Sequence, residues 1–243
     1  MTPGTLAALT ALFASLEAAR AGNGRNGVGP LSTASGLATV STVAGWAMLF
    51  AGVLGVMIAS GEFRHASATL TYLATPSRAR VLVAKMVTAT GAGVIFGLVA
   101  AVIATGISLG FVASHGYRVA LGAGVLAGHA AGAVLGAALL AAVGVGVGSL
   151  IRSQLAGIIG IFVWGLVIES LLGGLFTTIR PYLPYTAATT LAGIKLGGAA
   201  FGPAHGVPGG SPLPFAAAAG LIAAVAVLIS AVATRTTVRR DIS

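Results

Sequence analysis

Residues 120–150 run without a single Asp, Glu, Lys or Arg, and this feature most limits what the chain can fold into. A helix needs about 20 consecutive apolar residues to cross a bilayer core of about 30 Å. Several other runs are also that apolar, and only 7% of all residues are charged, against about 25% in soluble domains. The short alternating segments of a transmembrane barrel are not found. The sequence therefore predicts an all-α, polytopic membrane protein.

The order of apolar runs and polar turns predicts a single transmembrane domain over residues 1–243 with six spanning helices. The predicted spans are residues 2–21, 37–60, 81–113, 120–150, 155–176 and 213–233. Between the last two spans, residues 177–211 are rich in Pro and Gly, and they also contain Arg180, Lys195 and His205.

The longest polar interruption, GEFRHASATLTYLATPSRARVLVAK, occupies residues 61–85 between spans two and three. Its apolar residues recur at near-helical spacing at Phe63, Ala66, Leu70 and Leu73. Pro76 lacks the backbone N–H that a continuing helix requires, so the helix is expected to end before it. The pattern predicts a short amphipathic helix over residues 62–75, lying in the membrane interface and hinged at Pro76.

Basic residues are unequally divided between the two sides of the predicted bundle. One side takes eight of the 13 Lys and Arg, at Arg64, Arg78, Arg80, Lys85, Arg152, Arg235, Arg239 and Arg240. The other side takes Arg20, Arg25, Arg118, Arg180 and Lys195. Because Lys and Arg are enriched in cytoplasmic loops, helix 62–75 and both termini are predicted to be cytoplasmic. The basic residues are dispersed among loops, which argues against nucleic-acid binding.

Ionisable and aromatic residues inside spans are candidates for a transport pathway or gate, and here they are Glu169, Trp164 and His129. Glu169 is either a gating carboxylate or one hydrogen-bonded to a neighbouring helix or loop, and we favour the second interpretation. His129 is expected to be a satisfied polar group within the bundle. Trp164 fits packing and substrate stacking equally well.

Span four carries glycine at every fourth position, at Gly124, Gly128, Gly132 and Gly136. Glycines aligned on one face let a second backbone approach closely, which is a common basis of helix association in lipid. Packing within this chain is favoured over a subunit interface.

Motifs of soluble catalysis are missing from the sequence. It has no phosphate-binding G-x-x-x-x-G-K-[ST] loop, no H-E-x-x-H, no G-x-S-x-G and no cysteine, and its four histidines are scattered. No metal site is therefore expected. If the protein transports against a gradient, ions or a partner ATPase must supply the energy, and the lack of paired intramembrane acids favours the partner.

The segment at residues 61–85 resembles the region after the second span in membrane (permease) subunits of bacterial type-2 ABC exporters. The matching positions are Gly61, Glu62, Phe63, Arg64, Thr69, Leu73, Pro76, Arg78 and Lys85, with Arg78 one position from the usual arginine. GVGVGSLIRSQLAGIIG, WGLVIESLL and the closing RRDIS are also similar to that family, so the likeness covers about residues 37–243. Family members usually begin with a basic amphipathic helix, whereas this chain starts almost inside its first predicted span.

The resemblance implies a multi-pass permease subunit of the bacterial plasma membrane that is not itself an enzyme. It would assemble with a second permease subunit, identical or different, and with two cytoplasmic ABC ATPase subunits. Those partners would bind ATP and Mg²⁺, and this chain would bind no cofactor. The predicted helix 62–75 would be the coupling helix, and the implied ATPase contact comprises Glu62, Phe63, Arg64, His65, Thr69, Leu73, Pro76 and Arg78. Residues 177–211 would be the extracellular or re-entrant helical region before the last span. The transported substrate cannot be inferred.

Two other functions stay open at this point. An ion- or proton-coupled carrier or a channel would call for paired intramembrane acids or an internal repeat, and the sequence shows neither. A membrane anchor without transport activity would need no pathway at all.

Overall fold

The computed structural model describes residues 34–64, 78–114, 122–151, 153–194 and 211–240. These residues are almost entirely helical and include no strand. The helices are α1 (Ala34–Arg64), α2 (Arg78–Ser114), α3 (Ala123–Ile151), α4 (Gln154–Leu175), α5 (Pro184–Leu191) and α6 (Phe215–Arg240). A single 3-10 turn, Arg180–Tyr182, connects α4 to α5.

Four helical stretches are long and apolar enough to cross a membrane. They are Arg80–Ile107, Ala123–Ile151, Gln154–Leu175 and Phe215–Thr236, and they correspond to predicted spans three to six. The second predicted span lies within α1, which includes the apolar stretch Gly45–Gly61. The first predicted span, residues 2–21, lies outside the described residues. The multi-pass helical character is thus confirmed, and the number six stays a prediction.

Helix α3 forms the centre of the bundle, because α1, α2, α5 and α6 all pack against it. It is rich in Ala and Gly, so neighbouring backbones come close on several sides. Ala137, Ala141 and Val145 along α3 are buried. By contrast, α2, α4 and α6 carry many exposed Val, Ile and Leu side chains on their outer faces, as expected for surfaces in contact with lipid.

Helices α1 and α3 run parallel, and each contributes glycines to the place where they cross. The carbonyl oxygen of Gly52 occupies the place where Gly144 would carry a Cβ, and the Ala141 carbonyl does the same at Gly55. Neither position has room for a larger residue without moving a backbone. Lipid is as apolar as the helix surfaces, so the hydrophobic effect does little to hold helices together in a membrane. Close van der Waals packing of this kind stabilises their association instead.

Helices α2 and α4 run antiparallel to that pair. Gly93 packs against Ala138, and the later residue Gly97 packs against the earlier residue Val134, so α2 and α3 are antiparallel. Gly157 of α4 packs against Val56 of α1, while Gly165 farther along α4 meets the earlier residue Leu49. One end of the bundle therefore contains the end of α1, the start of α2, the end of α3 and the start of α4. We call it the basic end, because Arg64 ends α1 there and Arg78 begins α2.

The end of α1 differs from the prediction. A separate helix was expected to begin at Glu62, but α1 continues without a break through Gly61 to Arg64. Glycine lowers helix stability without ending a helix, and no proline follows until Pro76. Glu62, Phe63 and Arg64 therefore form the last turn of α1, and the remainder of the predicted helix, residues 65–75, lies outside the described residues.

Candidate functional site

Glu169 of α4 is the most extensively bonded polar side chain in the described part of the chain. Its Oε1 accepts hydrogen bonds from the Trp164 indole Nε1 at 2.9 Å and from the Tyr185 backbone N–H at 2.8 Å. Its Oε2 accepts from the Thr186 backbone N–H at 2.8 Å and from the Thr186 hydroxyl at 3.1 Å. Only 3% of the residue is exposed. We call this arrangement the Glu169 clamp.

The clamp completes the start of α5. Leu183 precedes the helix in an extended conformation and offers no side-chain cap, and Pro184 at the first helical position has no N–H to satisfy. The next two N–H groups, of Tyr185 and Thr186, have no partner within the helix and lie at the positive end of its dipole. A carboxylate from α4 fills this position, so α4 supplies the cap that the sequence before α5 lacks.

The far end of α5 is closed by a glycine. Gly193 has φ of 69°, and its N–H donates to the Thr190 carbonyl, while the Ile194 N–H donates to the Thr189 carbonyl. This is a Schellman ending, which satisfies carbonyls that the helix leaves free. The His129 ring of α3 lies directly against Gly193, where a Cβ would overlap it. Both ends of α5 are therefore fixed by spanning helices.

Helix α5 is buried in the bundle although it is too short to span a membrane. Tyr185, Ala188 and Leu191 are buried, and Thr189 is fully covered. The hydroxyls of Thr189 and Thr190 both donate to the Thr186 carbonyl, so they carry no unmet hydrogen bond. Burial raises the pKa of the Tyr185 phenol above its ordinary value, and the Glu169 charge adds to the rise. A short helix with its polar groups satisfied in this way tolerates an apolar environment.

A π-helical segment, Val163–Ile168, interrupts α4 immediately before Glu169. The Glu169 backbone N–H donates to the carbonyl of Trp164, five residues back. In an α-helix, residues five apart differ by about 140° in direction, whereas a π turn stacks them. The π turn therefore brings the Trp164 indole beside the Glu169 carboxylate.

The three residues predicted for a pathway or gate all lie near the ends of α5. Glu169 follows the favoured interpretation, a carboxylate bonded to neighbouring structure. Trp164 is 45% exposed while its N–H bonds that carboxylate. His129 packs at the opposite end of α5 and not beside Glu169. The sequence reasoning missed Thr186 and Gly193, although Pro184 and Gly193 are typical of helix starts and ends.

The predicted glycine stripe of α3 divides into two halves. Gly132 meets the backbone carbonyl of Leu191, and Gly136 meets the Met48 side chain and the Ala188 carbonyl. These two positions support the favoured packing within the chain. Gly124 and Gly128 are exposed, and a Cβ added at either would meet no described atom within 4 Å. They take no part in packing among the described residues.

The predicted ATPase contact is only partly described. Glu62, Phe63 and Arg64 end α1, and Arg78 begins α2 at the same end of the bundle. The predicted contact residues His65, Thr69, Leu73 and Pro76 lie outside the described residues. Close by, the Lys85 ammonium donates to the Ala59 carbonyl at 3.2 Å, which links the two helices where the intervening segment leaves and rejoins them.

No protein-family model, curated protein or solved structure matches the chain. The resemblance to type-2 ABC permeases therefore stays a prediction. Within the described ranges, no group of three His, Cys, Asp or Glu residues is arranged to hold a metal ion.

Proposed function

We propose that this chain is the transmembrane subunit of an ATP-driven exporter, coupled to a separate cytoplasmic ATPase through the segment between α1 and α2. One observation carries the proposal. The two helices that leave this segment both pack on the central helix α3, and Lys85 links them to each other at the basic end. A force on the segment would reach the core of the bundle through rigid helices.

The mechanical path follows the tightest contacts in the bundle. α1 meets α3 backbone to backbone at Gly52 and Gly144, and α2 meets α3 at Gly93 and Gly97. Such contacts have little slack, because no flexible side chain separates the two backbones. A partner that changes shape during ATP hydrolysis would shift these helices as bodies, which is a common form of switching transition.

The state of Glu169 favours a partner ATPase over ion coupling. A carboxylate that couples transport to protons or cations must gain and lose them in each cycle, and such sites use paired acids or relays. Glu169 already accepts four hydrogen bonds from Trp164, Tyr185 and Thr186. These bonds support a structural role for Glu169, and that role favours an energy source in another chain.

The proposal includes the predicted assembly and location. Two ATPase subunits would bind ATP and Mg²⁺ on the cytoplasmic side of a bacterial plasma membrane, and a second permease copy or homologue would complete the pathway. The apolar outer faces of α2 and α4 would contact lipid or that second permease. The basic end of the bundle would face the cytoplasm, following the distribution of Lys and Arg.

Orientation is testable because the chain has no cysteine. A single cysteine at exposed Ser153, in the turn between α3 and α4, is expected to react with an impermeant maleimide only after spheroplasts are opened. A cysteine at exposed Thr178, beyond the other end of α4, should react in intact spheroplasts. The reverse pattern would place the segment between α1 and α2 outside the cell and would contradict the proposal.

The coupling role predicts a specific kind of failure. Glu62→Ala and Arg64→Glu are expected to reduce ATP-dependent transport at least about tenfold while the protein still inserts, because the contact surface changes and the bundle does not. Transport and ATP hydrolysis are measured on the complex purified with the partner ATPase, which is sought first in the reading frames next to that of this chain. Thr88→Val, which removes an exposed hydroxyl on α2, is the matched control. Wild-type transport by both variants would count against coupling at this site.

A crosslink tests the contact directly. A single cysteine at His65 is expected to form a crosslinked product with the ATPase when a short bifunctional reagent is added, and the cysteine at Thr178 should form none. Crosslinking is read as a shift in mass on a denaturing gel. If no position from residue 62 to 78 gives a product, the segment is not the docking site.

A further inference from the structure

We propose that the π-helical segment of α4 is a conformational switch, which holds α5 in place through the Glu169 clamp and releases it when the segment relaxes to α-helix. The inference rests on the geometry of α4 and α5 and needs neither an ATPase nor a substrate. It therefore stands or falls separately from the proposed function.

The π-helical segment lies where three helices meet. Gly165, within the segment, packs against Leu49 of α1 on one side and the Tyr185 ring of α5 on the other. Gly157 and Ile161, earlier in α4, contact Val56 and Gly52 of α1. The first half of α4 is thus held by α1, while the second half holds α5 through Glu169.

The π turn sets the angle between these two halves. It contains one residue more than an α-turn, so its relaxation would rotate one half relative to the other by about 100°. Because α1 holds the first half, the rotation would move Glu169 away from the N–H groups of Tyr185 and Thr186. The Trp164 bond to Glu169 would break in the same step, because it depends on five-residue stacking.

Release of the clamp leaves α5 without an N-terminal cap. Its two freed N–H groups would then be unsatisfied in an apolar environment, so α5 would have to shift toward water or another partner. Its packing against α1, α3 and α6, together with the Gly193 ending against His129, would still hold the rest of the helix. The structure therefore links the register of α4 to the position of α5, as required of an element with two discrete states.

Amide hydrogen exchange on the protein in lipid nanodiscs tests the switch without any partner. Peptides covering residues 163–168 and 184–187 are expected to exchange together, at least about tenfold faster than a peptide covering residues 137–145 of α3. The shared rate would report a single opening that includes the π turn and the clamp. Exchange of both regions only at the rate of α3 would show that they open by global unfolding and would overturn the proposal.

A variant separates a switch from a simple helix cap. Glu169→Gln is expected to raise exchange about tenfold in both the 184–187 and the 163–168 peptides, because both halves of the switch lose the same bonds. Faster exchange in α5 alone would make Glu169 a cap and nothing more. Thr190→Val, which removes a hydroxyl bond inside α5, should change neither peptide. If Glu169→Gln does not fold, Trp164→Phe removes one of the four donors and provides the same comparison.

Discussion

Replacing Glu169 by glutamine is expected to lower the free energy of unfolding by about 3 kcal/mol, and replacing it by alanine should cost more. The carboxylate accepts four hydrogen bonds at 2.8–3.1 Å from Trp164, Tyr185 and Thr186. Hydrogen bonds to charged groups contribute roughly 1.5–3 kcal/mol each, without full additivity. A glutamine amide has a single acceptor oxygen, so its NH₂ group must face donors of α5. Alanine leaves every donor unpaired and adds a cavity.

Thermal unfolding of the purified protein in detergent measures this loss. A change of about 3 kcal/mol corresponds to a fall in Tm of roughly 6–12 °C for a chain of this size. Thr88→Val is the control, because its exposed hydroxyl bonds only the Ala84 carbonyl in its own helix, and it should stay within about 0.5 kcal/mol of wild type. A glutamine variant as stable as the control would mean that the clamp does not hold α5.

The sequence predicts the spanning helices well, because their signal is local. An apolar run of sufficient length has few alternatives in a membrane, and spans three to six are found where the runs predicted them. The break expected between the second span and a helix beginning at Glu62 is not found, because α1 continues through Gly61 to Arg64. Boundaries depend on a few residues, whereas the existence of a span depends on about twenty.

A helical region was expected within residues 177–211, but the position of α5 there could not be predicted. PYTAATTL is short and rich in Thr, so its sequence resembles a loop. An isolated helix of eight residues is unstable in water, and this one depends on Glu169, which lies sixteen residues before Tyr185 in the chain. The π turn is likewise invisible to a pattern of helical period 3.6. Contacts made across the fold decide both features.

The spacing of the glycines in α3 predicted a stripe, but it did not predict which of these glycines contact a neighbouring helix. Residues four apart in an α-helix advance about 40° beyond one full turn, so the twelve residues from Gly124 to Gly136 wind through about 120°. Gly132 and Gly136 meet α5 and α1, whereas a Cβ at Gly124 or Gly128 would meet no described atom within 4 Å. The same residue type, in the same helix, therefore occupies two opposite environments.

This division predicts opposite effects of one substitution. Gly144→Ala is expected to destabilise the protein by about 3 kcal/mol or to prevent folding, since its Cβ would overlap the Gly52 carbonyl and a backbone must move to admit it. Gly128→Ala should instead stabilise it by up to about 1 kcal/mol, because its Cβ meets no described atom within 4 Å and alanine favours helix. Thermal unfolding in detergent, with membrane yield for variants that do not purify, measures both.

Gly132→Ala distinguishes packing of α5 from packing of the spanning bundle. Its Cβ would overlap the Leu191 carbonyl at the end of α5, a helix of only eight residues. We expect a smaller loss than for Gly144→Ala, because α5 can move away while α1 cannot leave α3 without opening the core. Equal stability of the Gly128, Gly132 and Gly144 variants would contradict the packing described for α3. A loss at Gly128 as large as that at Gly144 would instead mean that its exposed face is covered, either by another chain or by residues of this chain outside the described ranges.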